Sequence, residues 1–147
     1  MSRSWISWIL VGALLLVVLF FASACVYSWW VNPGVERELR EDPDGDRAQK
    51  VMLLTLPSGK TIPVNYLREG DFVYAGADFP WWRSIPPEGG PGTVFIRGEE
   101  LTGTVRAVTD DPERRADVFS RLRPDAVSWA GTLVVVELDE AGADATE

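Results

Sequence analysis

The pattern of apolar and polar positions divides the chain into two unlike parts. From Trp5 to Val31 almost every residue is apolar and no charge occurs between Arg3 and Glu36. Beyond Lys50, apolar residues come instead in short bursts separated by glycine, proline and charged pairs. The first run is long enough to cross a bilayer as a helix, since about 20 helical residues span the hydrocarbon. Trp5 and Trp8 at one edge, with Tyr27, Trp29 and Trp30 at the other, follow the aromatic enrichment of the two membrane interfaces. Asn32-Pro33-Gly34 is expected to end the helix. A buried soluble helix fits poorly, because the rest of the chain is too short to cover one that is apolar on all sides. Phe21-Ala22-Ser23-Ala24-Cys25 offers a competing reading as a cleaved or lipidated export signal. Against it stand the lone Arg3 upstream and the apolar residues that continue from Val26 to Val31.

Residues 32–49 are charged and interrupted by Pro33, Pro43 and Gly45, which predicts a juxtamembrane linker with room for a short helix from Val35 to Arg40. The pattern then turns to strands. Val51 to Leu56 is an apolar burst ended by Pro57-Ser58-Gly59, and Thr61 to Leu67 completes a hairpin. Arg68-Glu69-Gly70-Asp71 turns the chain into a third strand, Phe72 to Ala77. After an irregular stretch over 78–92 come Thr93 to Arg97 and Leu101 to Val108, the latter with Leu101, Gly103, Val105 and Ala107 on one face. A helix follows, with Asp111 as cap, Pro112 in the first turn, Glu113 at the positive end of the dipole, and Ala116, Phe119 and Leu122 as its apolar stripe. Pro124 ends it and Thr132 to Leu138 supplies the last strand. This order predicts a mainly β domain over 50–139, a small antiparallel barrel of about six strands with one helix over an end. It is preceded by an anchor over 1–31 and followed by an acidic, disordered tail over 140–147.

Charge and composition narrow the chemistry. The chain has no histidine, which removes histidine-dependent triads and ordinary zinc sites, and no metal site is expected. Its one cysteine, Cys25, lies in the apolar run, so the barrel has neither disulfide nor thiol nucleophile. A net charge of −8 argues against nucleic acid as a partner. Arg37, Arg40, Arg47 and Lys50 outnumber Arg3 around the apolar run, which places the C-terminal domain on the cytoplasmic side of a single-pass membrane protein.

Four stretches carry a resemblance to a known family: VMLLTLPSGKTIPVNYL, REGDFVYAGA, FPWWRSI and TVFIRGEELTGTVRAVTDDPERR. Together they are similar to the deazaflavin-dependent nitroreductase and quinone reductase family over about Val51 to Leu138, and FPWWRSI is the most specific piece. The resemblance implies a split β-barrel of the flavin-reductase type, a deazaflavin coenzyme or FMN as cofactor, hydride transfer to quinone-like or nitroaromatic substrates, and a homodimer as one option. It further implies that Thr55, Ser58, Gly59, Lys60 and Thr61 hold the cofactor phosphate, although the family's longer loop, with its Arg-Lys pair, is shortened here. Pro63, Val64 and Asn65, with Ala75, Gly76 and Ala77, correspond to positions that face the cofactor ring.

Read without the family, Ser58 to Lys60 is a plain hairpin turn and the small residues of the third strand are barrel interior. Trp81, Trp82 and Arg83 admit two readings, a pocket wall with a cation for an anionic group or a hydrophobic plug at the barrel end. A membrane anchor suits a lipophilic acceptor. The alternative to the reductase is a non-catalytic barrel that kept the fold, lost the cofactor and serves as a binding or structural module at the membrane.

Overall fold

A computed structural model describes residues 3–26, 32–125 and 131–139. The aromatic residues Tyr27, Trp29 and Trp30 and the acidic tail over 140–147 lie outside the described residues. The chain divides into one unit up to Val35 and a second from Glu36.

In the first unit, α1 (Arg3–Val26) is a continuous helix, and its segment Trp5–Ser23 is long and apolar enough to cross a membrane. Among the described residues no side chain of that segment is buried, and Trp5 and Trp8 are 64% and 73% exposed.

The second unit is a closed barrel of six antiparallel strands: β1 (Val51–Thr55), β2 (Thr61–Glu69), β3 (Phe72–Ala77), β4 (Gly90–Ile96), β5 (Glu99–Val108) and β6 (Thr132–Leu138). Around the barrel they run β1, β2, β3, β6, β5, β4, and β4 pairs back on β1 with Leu53 opposite Phe95 and Thr55 opposite Thr93. Each strand has a partner on both sides, although the β1–β4 seam holds three residue pairs and β2 meets β3 only from Tyr66 to Glu69. Alternation sends one side of each strand inward: Met52 and Leu54, Ile62 and Val64, Val73 and Ala75, Val94 and Ile96, Val105, and Val134 and Val136 form the interior cluster. Of the four residues expected to share a face of β5, Leu101, Gly103 and Val105 turn to the core, and Ala107 is half-buried. Two glycines make this tight packing possible. A Cβ on Gly92 would lie 2.2 Å from Val105 Cγ2, and one on Gly103 would lie 2.3 Å from the carbonyl oxygen of Glu137.

The outer face of β3 and β6 is covered by α3 (Pro112–Leu122). Asp111 caps it as expected, its carboxylate accepting from the Arg114 amide at 2.9 Å, and Pro112 occupies the first turn. Val118 and Phe119 are buried against Tyr74, Leu133 and Val135, with Leu67, Val108 and Leu122 packed around them. The expected stripe is corrected at one position: Ala116 is exposed and Val118 takes its place. A stripe of period 3.6 can be drawn through either set, and the larger side chain wins the buried side.

The segment before the barrel is more ordered than a linker. A helix, α2 (Asn32–Glu41), spans more than the short stretch expected from Val35 to Arg40. Asn32-Pro33 starts it, as proline in a first turn can, because its missing N–H would have no partner there. Leu39 and Ala48 are buried. The Arg40 guanidinium lies 5.0 Å from the centroid of the Phe95 ring, Tyr66 donates to the Ala48 carbonyl at 3.3 Å, and Asp44 pairs with Arg97 at 3.6 Å. Residues 36–49 therefore belong to the barrel unit. The stretch expected to be irregular holds a 3-10 helix, Pro80–Ser84, and β4 begins at Gly90, three residues before the expected Thr93.

Candidate functional site

The loop between β1 and β2, residues 56–60, closes on a three-residue turn over 57–59. The Gly59 amide donates to the Leu56 carbonyl at 2.8 Å and the Leu56 amide to the Lys60 carbonyl at 2.9 Å, while Gly59 adopts φ +85°. That left-handed conformation is what glycine supplies at the end of such a turn. Ser58, Gly59 and Lys60 are exposed and nothing lies within 4 Å of a Cβ built on Gly59, so the tip is open. Thr55 and Thr61 face each other across the hairpin, and their hydroxyls share a hydrogen bond of 2.9 Å. The amide of Gly59 is thus already engaged, while the Ser58 hydroxyl and the Lys60 ammonium are exposed at the tip.

On β2, Val64 points into the core, Pro63 is half-buried opposite Leu53, and Asn65 is exposed opposite Val51. On β3, Ala75 and Ala77 are fully buried in the interior cluster. Gly76 points the other way, beneath α3, where a Cβ would lie 3.3 Å from Arg123 Cζ and 3.4 Å from Phe119 Cε1. The small residues of β3 therefore back onto protein on both faces, the filled interior on one and α3 on the other.

The 3-10 helix brings Trp81, Trp82 and Arg83 to the mouth of the barrel. Both tryptophans are half-buried and pack on the interior cluster, and Ile85 just behind them is buried in it. The turn is fixed by Ser84, whose hydroxyl donates to the Trp81 carbonyl at 2.8 Å, and by the Ile85 amide donating to the Trp82 carbonyl at 3.0 Å. Arg83 is exposed with its guanidinium 5.5 Å from the Trp82 ring centroid, within cation–π range.

These segments meet at one end of the barrel. The hairpin reaches the return of the 3-10 helix, since a Cβ on Gly90 would lie 2.9 Å from Pro57 Cγ and 3.6 Å from Pro86 Cδ. The end of β3 and the start of β6 join the same rim through the pairing of Ala77 with Thr132. Asn65, in contrast, lies well down β2 from the rim. Asp78 and Arg123, which no motif marks, form an ion pair across this rim, with the guanidinium also 4.1 Å over Phe119. Arg123 follows α3 and Asp78 follows β3, so only the folded chain reveals them as partners.

A shallow depression on the outer side of β5 and β6 is lined by Glu88, Thr104, Arg106, Val135 and Glu137 and measures about 90 Å³, far below the roughly 300 to 1,000 Å³ of pockets that enclose a ligand. A phosphate-bearing ring cofactor is thus not enclosed there. At the open tip the groups that could meet a phosphate are the Ser58 hydroxyl and the Lys60 ammonium, both exposed. The methyls of Ala75 and Ala77 face the packed core, whereas Trp82 is half-buried at the rim. Among the described residues no cluster of carboxylates or thiols could hold a metal ion.

Neither a protein-family profile nor a curated protein sequence matches this chain.

Proposed function

We propose that the chain is a single-pass, membrane-anchored reductase whose barrel lies on the cytoplasmic side and binds a deazaflavin coenzyme or FMN to reduce quinone-like or nitroaromatic substrates by hydride transfer. The observation that carries this reading is the convergence, at one barrel end, of the open Ser58-Gly59-Lys60 tip with the Trp81-Trp82-Arg83 turn. When bound, the cofactor supplies the hydride chemistry. The chain's own residues bind and orient: Lys60 and Ser58 hold a phosphate, Arg83 meets a second anionic group, and Trp82 offers a flat apolar face. No acid–base side chain is required of the protein, in keeping with a domain that has no histidine.

The test is titration of the purified full chain in detergent with oxidised and reduced deazaflavin and with FMN, followed by fluorescence. Saturable binding of either cofactor is expected. Replacing Lys60 or Arg83 by alanine removes a charge-assisted hydrogen bond, which weakens binding about tenfold to a hundredfold.

A second reading, a non-catalytic barrel module at the membrane surface, is favoured by one observation: both faces of β3 are already packed by the protein itself. Absence of saturable binding up to high micromolar cofactor would replace the reductase with that module.

A further inference from the structure

Outside α1, the described residues expose two large apolar side chains, Phe72 at 37% and Phe79 at 73%. Phe72 is paired within β3, whereas Phe79 stands at the head of the 3-10 helix, beside two tryptophans that are only half-buried. Water is a poor solvent for this concentration of aromatic surface. Cations stand around it: Arg83 stacked on Trp82, and Lys60 on the hairpin tip of the same barrel end. The carboxylate next to Phe79, that of Asp78, is engaged by Arg123.

Aromatic rings flanked by long cationic side chains suit the headgroup layer of a bilayer. The rings enter the boundary of the acyl chains while Lys and Arg extend their charges to the phosphates. The chain also has the means to reach one, since α1 is apolar enough to cross a membrane and only residues 27–31 separate it from α2. A net charge of −8 opposes contact with anionic lipid at long range. Screening limits that repulsion to about 8 Å at physiological salt, so the charges at this end decide: Lys60 and Arg83 favour contact, and exposed Glu88 on the return from the 3-10 turn opposes them.

We propose that the barrel end bearing Phe79, Trp82, Arg83 and Lys60 docks on the surface of an anionic bilayer, with Phe79 inserted at the headgroup boundary. This docking does not depend on cofactor binding.

The test places the full chain in lipid nanodiscs. In a Cys25→Ala background, a nitroxide is attached through Phe79→Cys, through Ser84→Cys on the same turn, or through Glu100→Cys at the opposite barrel end. Collision rates with oxygen and with a water-soluble nickel chelate are then read by power saturation. The labels at 79 and 84 are expected to be rich in oxygen contact and shielded from nickel in anionic nanodiscs, with the label at 100 showing the reverse. Combining Lys60→Gln with Arg83→Gln should lower the docking equilibrium on the order of fivefold for each cation removed. Labels at 79 and 84 that are as open to nickel as the label at 100 would overturn the proposal. So would dipolar broadening between labels, which would mean that a second copy covers Phe79.

Discussion

Replacing Gly103 by alanine tests the closure of the barrel directly. The added methyl would sit 2.3 Å from the Glu137 carbonyl oxygen and 3.0 Å from the Leu138 Cα, both backbone atoms. Ordinary contact begins near 3.4 Å, so β5 and β6 must separate by about an ångström. A side chain could rotate away, but a strand cannot, and β6 is held between β3 and β5 by ladders on both sides. Separation at this point also strains the adjoining bonds, in which the Asp139 amide donates to the Thr102 carbonyl at 3.0 Å and the Thr102 hydroxyl to the Asp139 carboxylate at 2.7 Å. Overpacking in a well-filled site costs about 1 to 3 kcal/mol, and a backbone obstacle puts this case at or above the upper figure. At roughly 4 to 8 °C per kcal/mol for a domain of this size, the midpoint of thermal unfolding should fall by about 12 °C or more. The assay is circular dichroism of the full chain in detergent, followed at a strand wavelength. Gly34→Ala serves as control, since nothing lies within 4 Å of a Cβ there and alanine favours the helix. A loss below about 1 kcal/mol for Gly103→Ala, no larger than an ordinary surface change, would refute the close approach of β5 and β6.

Phe119→Ala should lower stability by about 3 to 5 kcal/mol, because Phe119, on the inner face of α3, is 1% exposed and its loss leaves a cavity against Tyr74 and Leu133; urea unfolding with an unchanged slope would register it. Asp111→Ala should cost about 1 kcal/mol through the lost cap on the Arg114 amide, with faster hydrogen exchange confined to the first turn of α3. Burial raises the Tyr66 phenol above its usual 10.0, a shift that nearby Arg97 and Arg68 partly oppose. The folded state therefore favours the neutral phenol. This contribution is complete below pH 10 and is lost as the pH climbs through the higher folded value, so stability should decline in alkali, and less steeply in Tyr66→Phe.

Much of the barrel was legible because its strands alternate. The first three strands were bounded by Pro57-Ser58-Gly59 and by Gly70, which take the turns, and the pair Asp111-Pro112 marked the start of α3 through chemistry local to a few residues. The order of strands was not legible, because pairing β1 with β4 and β6 with β3 depends on contacts between distant residues that no local pattern specifies. Pro33 was legible as an end to the first helix but not as the start of the second. Proline ends one helix and begins another equally well, and only the burial of Leu39 identifies the second as part of the barrel unit. For the candidate site, residue type found the open tip and the tryptophan turn. It could not say which way Gly76 points, since small residues serve equally to admit a ligand and to admit Phe119. The Asp78–Arg123 pair and the exposure of Phe79 were beyond reach because both arise only when the barrel end is assembled.

The position of β6 has a consequence for synthesis. Emerging from the ribosome, the chain presents β1, β2 and β3 as two successive hairpins and then β4 and β5 as a third, with the β1 to β4 seam able to join them. The resulting curved five-stranded sheet would still lack the strand that fills the gap between β3 and β5. Until β6 arrives, both flanks of that gap offer unpaired backbone groups and the apolar interior has an open side, a condition that invites pairing with other chains. A nascent or truncated chain that stops before Thr132 should therefore be recognised by quality control as unfinished, even though every element before it has already been made.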